Sequence, residues 1–334
     1  MRKSLPFTKP LAYGQQYYAF PLGILASHPQ ANDWVLSNYL QVAYVTDPSI
    51  GIDFSFYLYD YSISPWLETL KLNRELANAQ SGGVNGLVRT AISADFYVYL
   101  TLNERYVPER LRYDQGLDGL HDVLVRGVDD EADVFEILGY DRNQVFRSST
   151  VPQDELAVAY HSVGRDPFFE VPLTLYRFNP RGTYELDLQF IRQSLIEYLE
   201  SFNTSLHFRA LRTPWDLVYG MATYEELEKY IDRYARREVE YDILNLHTLW
   251  EHKRLMLARL TRCAQSAPAL AELVAPYQRV ERLAWALRLT MMAHGDAPQK
   301  SFMNEAAPIL HAVRDTERKL LTQAVGALDH SGGA

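Results

Sequence analysis

The apolar pattern of the chain changes near residue 183, and that change limits it to folds in which a sheet and a helical bundle come from successive stretches. Before it, short runs rich in β-branched and aromatic residues (95–100, 123–128, 134–138, 145–146 and 172–178) alternate with Gly, Pro and Asp and predict strands. The polar connections at 129–133 and 141–144 suit hairpins, so the strands predict an antiparallel meander. Residues 21–41 and 64–79 predict helices ahead of the sheet, the second opened by Ser64 and Pro65 in cap and first-turn positions. Pro152 opens a short third helix in the same way.

After residue 183 a 3.6-residue period takes over. Leu188, Ile191, Leu195, Tyr198, Leu199 and Phe202 share one helical face, and Val239, Ile243, Leu246, Trp250 and Leu257 share another. Val280, Leu283, Leu287 and Met291 continue the pattern, as do Ile309, Val313, Leu320 and Ala324. The expected fold class is therefore α+β, with an antiparallel-sheet domain over residues 1–180 and a helical domain over 181–330.

Charge and cysteine content narrow the functional classes. Lys+Arg number 33 against 42 Asp+Glu, a net charge of -9 that disfavours nucleic-acid and anionic-membrane partners. The single cysteine, Cys263, forms no intramolecular disulfide and cannot build a thiolate-rich zinc site or an iron–sulfur cluster. With no apolar export signal after the first basic residues and no run of membrane-spanning length, the expected location is the cytoplasm. No cofactor or metal is expected.

Two clusters invite chemistry. In the first, His121 heads a strand, a turn rich in Gly and Asp follows, and the return strand ends in Asp141. A carboxylate beside an imidazole fixes its tautomer and stabilises its charged form, as a general base requires. Asp122, Asp129 and Asp130 read as residues that solvate the turn and strand end. In the second cluster, His247 and Glu251 are four apart on one helical face while His252 points away. That order departs from the zinc-peptidase helix motif and predicts a solvated helix face.

The pattern formed by His121, Val123, Leu124, Gly127, Asp129 and, one strand later, Asp141 resembles the papain-like fold, especially the compact bacterial branch shared by bacteriocin-leader peptidases and the butirosin-biosynthesis acyltransferase family. Tyr219-Gly220, Tyr224 to Leu227 and Leu246 to Lys253 are similar to the carboxy-terminal helices of that family. The resemblance implies a papain-like amino-terminal domain that handles an acyl thioester on a phosphopantetheine-bearing acyl or peptidyl carrier protein, in nonribosomal-peptide or polyketide biosynthesis. The implied reaction is acyl transfer, amide formation or cyclisation, with His121 as general base oriented by Asp141.

The family nucleophile, a cysteine at the start of the first long helix, has no counterpart among Tyr17 to Leu25. Cys263 lies in the other half and reads as a buried small residue. Ser27 and Ser37 are the nearest alternative nucleophiles, giving a hydrolase reading. A noncatalytic carrier- or ligand-binding protein on a degenerate papain-like fold is a further alternative. Tyr17, Tyr18, Phe20 and Trp66 are candidate walls of an acyl pocket between the first helices and the sheet. Arg105, Arg110 and Arg112, just ahead of His121, are candidate docking residues for an acidic carrier protein.

Overall fold

Residues 97–140 carry the alternation of side chains that builds the sheet expected from sequence. The computed structural model describes residues 1–47, 52–58, 60–163, 172–298 and 301–329. In chain order its elements are β1 (Arg2–Ser4), α1 (Gln16–Ala26), α2 (Asn32–Asn38), β2 (Val42–Tyr44), β3 (Phe54–Phe56), β4 (Leu67–Leu72), α3 (Arg74–Asn78), α4 (Gly83–Ser93), β5 (Tyr97–Asn103), α5 (Leu111–Gln115), β6 (Leu120–Asp129), β7 (Val134–Tyr140), β8 (Phe146–Pro152), α6 (Gln153–His161) and β9 (Leu173–Phe178). There follow α7 (Leu188–Leu199), β10 (Val218–Tyr219), α8 (Thr223–Ala235), α9 (Leu244–Cys263), α10 (Ala271–His294) and α11 (Phe302–Asp329). The chain is α+β, an antiparallel sheet with a helical carboxy-terminal region.

The chain forms two compact units, Met1–Ala31 with Tyr61–Thr183, and Asn32–Asp60 with Tyr184–Ala334. The division differs from the single cut near residue 180 that the texture predicts. Its cause is local: β2 pairs with both β3 and β10, and Arg259 on α9 donates to the Leu36 and Tyr39 carbonyls at the end of α2.

In the first unit the strands run β4-β9-β5-β6-β7-β8, all neighbours antiparallel. β6 is long enough to take β5 along its first half and β1 along its second half on the same edge. A register shift between Val125 and Gly127 marks a bulge against β7, where Arg126 turns to meet Glu136. The Phe20 ring on α1 meets Tyr99 at 5.6 Å, which places α1 on the Tyr99 face. Val98, Leu100, Val123 and Val125 therefore fill the opposite face, which α4 and α6 cover. Full burial of each such side chain is worth about 1.5–3 kcal/mol.

Two helices expected from sequence take other forms. The stretch 21–41 breaks into α1 and α2 around a short 3-10 turn at Pro29–Ala31. The stretch 64–79 is β4 followed by α3, because six rungs of pairing with β9, from Leu67↔Phe178 to Leu72↔Leu173, outweigh its helical propensity. Ser64 Oγ accepts the Trp66 N–H at 3.3 Å, so the expected helix cap makes a tight turn into the strand.

The second unit has a charged interior. On α9 and α11, Lys253 and Glu317 are completely buried, with Lys253 Nζ 2.9 and 2.8 Å from the two carboxylate oxygens. Tyr198, Tyr224 and Tyr277 donate their hydroxyls to Glu317 at 2.8, 2.7 and 2.5 Å. Lys253 also donates to His252 Nδ1 at 2.8 Å, which leaves His252 Nε2–H to donate to the Leu40 carbonyl at 2.8 Å. Burial opposes the Glu317 charge, but Lys253, His252 and the hydrogen bonds prevail and hold its pKa at about 2. Burial, reinforced by Lys253, lowers the His252 pKa to about 3 and keeps the ring neutral.

The expected solvated face of α9 is thus an interior face. His247 and Glu251 are also buried, 3.0 Å apart, and Arg288 donates to His247 Nδ1 at 2.8 Å. Spacing along the sequence placed these residues on a face, but packing of α9 against α10 and α2 decided which side faces the core.

Candidate functional site

Helix α1 begins abruptly. Gln15 is extended, with no side-chain cap, so Gln16 is the first helical residue, and its side chain turns inward at 5% exposure. It points to the start of β6, where His121 pairs with Leu102 of β5. Gln16 Nε2 lies 2.9 Å from His121 Nδ1, and the Asp122 backbone N–H donates to the same nitrogen at 2.9 Å. With two donors at 2.9 Å and the Asp122 carbonyl farther off at 3.4 Å, Nδ1 is the accepting nitrogen, and the proton of a neutral ring belongs on Nε2. His121 itself is exposed.

Asp141 follows β7, and the pairing of β6 with β7 stops at Leu124↔Leu138, three residues short of both His121 and Asp141. Its carboxylate, 3% exposed, accepts from the backbone N–H groups of Asn143 and Val145 at 2.8 and 3.0 Å and from Arg147 Nε. Burial would raise its pKa; the Val145 N–H, the Arg147 guanidinium and the Asn143 N–H hold it below the ordinary value. The expected His121–Asp141 hydrogen bond is not formed: the turn into β8 offers this short side chain two local N–H donors, and it takes them.

The acid nearest in sequence to His121 does more than solvate a turn. Asp122 lies on the Tyr99 face of the sheet and accepts from Tyr99 Oη at 2.7 Å and Thr101 Oγ1 at 3.0 Å. Burial, together with this carboxylate, raises the Tyr99 phenol pKa well above its ordinary value.

The three candidate docking arginines separate. Arg105 is half-exposed and 3.6 Å from Asp118, and Arg112 is exposed, its stem lying against Gly119. Arg110 is 1% exposed and cannot meet a carrier protein at the surface. Its Nη1 donates to the Tyr140 carbonyl, while Nε and Nη2 make no hydrogen bond among the described residues. Burial lowers its pKa, opposed by Glu104, Asp141 and Glu109. Gly139 lets this guanidinium approach: a Cβ there would stand 2.9 Å from both Arg110 Nη2 and Gln16 Oε1, and Gln16 Oε1 also has no partner among the described residues.

The candidate acyl-pocket residues do not share one wall. Tyr18 and Phe20 are completely buried core residues, Phe20 packed on Tyr99 and Phe146. Tyr17 is half-buried against Tyr18 and Tyr61. Trp66 lies parallel to Phe178, which stacks on His28, beside a groove of about 450 Å³ lined by His28, Tyr97 and Arg177. Large aromatic side chains near the sheet were a sound guide to the core, and packing against α1 consumed them.

The candidate serines are also engaged elsewhere. Ser27 Oγ bonds the Gly23 carbonyl at 3.2 Å and Thr8 at 3.3 Å, while buried Ser37 bonds the Asp33 carbonyl at 2.8 Å. Cys263 is 1% exposed, and burial pushes its thiol pKa up. Among the described residues no group of three His, Cys, Asp or Glu side chains is placed to hold a metal ion, and no helix is long and apolar enough to cross a membrane. Gln16, Arg110 and Gly139 are the members of the site that sequence reasoning missed as a cluster; a lone amide, one of three arginines and a glycine carry no motif. No protein-family model matches the chain, and no curated protein matches it.

Proposed function

We propose that this protein is a noncatalytic ligand-binding protein that keeps a papain-like layout without covalent chemistry. The observation that carries the reading is the Gln16–His121 contact. The first residue of α1, just ahead of the stretch Tyr17 to Leu25 in which the resemblance puts a nucleophile, is an amide that occupies the imidazole lone pair. A general base needs that lone pair directed at the proton it removes. Here the lone pair is spent within the protein, and the Nε2–H left on this exposed residue can only donate to a ligand.

The ligand expected is a small molecule with hydrogen-bond acceptors, held near His121, Gln16 and Arg110. The lone unpaired thiol, Cys263, suits a reducing compartment such as the cytoplasm. The test is turnover of a small acyl thioester by the wild-type protein. This reading predicts a rate equal to buffer. A rate above buffer that disappears in His121→Ala would restore the acyl-transfer reading.

A further inference from the structure

We infer that Arg110, Gln16 and Gly139 form a recognition site for a small carboxylate bearing a hydroxyl or amino group beside the carboxyl. The inference rests on the noncovalent reading above and names the ligand of that site.

Arg110 has one edge of its guanidinium in use and one unused. Nη1 is satisfied by the Tyr140 carbonyl, and the two groups without a partner, Nε–H and Nη2–H, are the parallel pair that meets both oxygens of a carboxylate. Leaving such donors buried and unpaired is costly, and native proteins rarely do so without a purpose. Beside them stands the complementary orphan, Gln16 Oε1, an acceptor without a donor. The two orphans converge on the side of β7 where position 139 lacks a side chain, each 2.9 Å from the place a Cβ would take. Gly139 also has φ of 157°, which side chains rarely adopt.

A donor–acceptor pair of this kind asks for a ligand with the reverse arrangement. Two acceptor oxygens would lie on Arg110, and one O–H or N–H on the neighbouring atom would reach Gln16. The parallel Nε–H and Nη2–H of Arg110 match the two coplanar oxygens of a carboxylate. Glu104, Asp141 and Glu109 around Arg110 further disfavour a dianion. His121, exposed and bonded to Gln16, marks the side from which such a ligand enters.

The experiment is titration of the full chain with lactate, propionate, lactamide and inorganic phosphate, followed through the Arg110 Nε–H signal by ¹⁵N–¹H NMR. Lactate should shift this signal saturably, propionate should bind about fivefold or more weakly, and lactamide and phosphate should leave it unmoved. Loss of one charge-assisted fork costs about tenfold or more in affinity, so Arg110→Lys, which keeps the charge but loses the fork, should weaken lactate by that factor. Gly139→Ala, which fills the convergence point, should do the same. An Arg110 signal indifferent to lactate, or one moved equally by lactamide or phosphate, overturns the inference in the wild-type protein, whether or not the variants fold. Thioester turnover tests the noncatalytic reading separately, so failure of one is distinguishable from failure of the other.

Discussion

Gln16 Nε2 sits 2.9 Å from His121 Nδ1, on the nitrogen that also accepts the Asp122 backbone N–H. An imidazole held by two donors on Nδ1 is oriented with the polarity opposite to that of one held by a carboxylate. A carboxylate on Nδ1–H frees the Nε2 lone pair for base catalysis, whereas donors on Nδ1 turn Nε2 into a donor. One amide thus decides which ring nitrogen of His121 carries the proton.

Replacing that amide by a thiol makes a direct prediction. In Gln16→Cys the sulfur starts an 11-residue helix and faces His121, and both features favour a thiolate. The pH dependence of iodoacetamide alkylation should give a thiol pKa about one unit or more below the ordinary value near 8.5. An ordinary pKa would show that the start of α1 does not address His121.

Wild-type Cys263 should alkylate at a rate limited by opening of the native structure, because the thiol is 1% exposed and burial raises its pKa. Cys263→Ser should leave ligand binding unchanged. Rapid alkylation of the native protein, blocked by ligand, would contradict both statements.

The arginines ahead of His121 should differ sharply in stability. Arg110→Ala leaves the Tyr140 carbonyl without its donor and opens a buried void, and is predicted to cost about 2–4 kcal/mol in urea unfolding. Exposed Arg112→Glu should change stability by less than about 0.5 kcal/mol. Equal effects would mean that Arg110 is not an interior residue.

How far these features could be read beforehand depended on whether they were local. Alternation from residue 97 to 140 and the helical faces after 183 are carried by runs of neighbouring residues, and the strands and helices formed there. Ser64-Pro65 failed as a helix signal because the same residues make turns, and only pairing with β9, a hundred residues on, decided for a strand. The site was half legible. His121 stood out, but its partner is an amide 105 residues upstream that no spacing marks. Arg110 looks like Arg105 and Arg112 until the Tyr140 carbonyl and Gly139 close around it. Lys253 and Glu317 are 64 residues apart on two helices, and nothing local in the sequence announces that each is the other's partner.

That interior pair predicts a response to acid. The folded Glu317 pKa of about 2 lies below the ordinary 4.5, so its ionised form adds stability that is fully present above about pH 4.5 and is lost as the pH falls toward 2. Glu317→Gln should flatten that part of the pH–stability curve measured by urea unfolding. Lys253→Met, which strands a buried carboxylate, should cost about 3–5 kcal/mol at pH 7. An unchanged acid limb in Glu317→Gln would place the titrating group elsewhere.

The tautomer of His121 is read from the ¹⁵N shifts of its ring in the ligand-free protein at pH 8.5, where an ordinary imidazole is neutral. A proton on Nε2 and a bare, hydrogen-bond-accepting Nδ1 are expected, unchanged in Asp141→Ala, because Gln16 and the Asp122 N–H hold the ring and Asp141 holds the turn. A proton on Nδ1 with a bare Nε2, lost when Asp141 is removed, would contradict this and return His121 to the role of a general base.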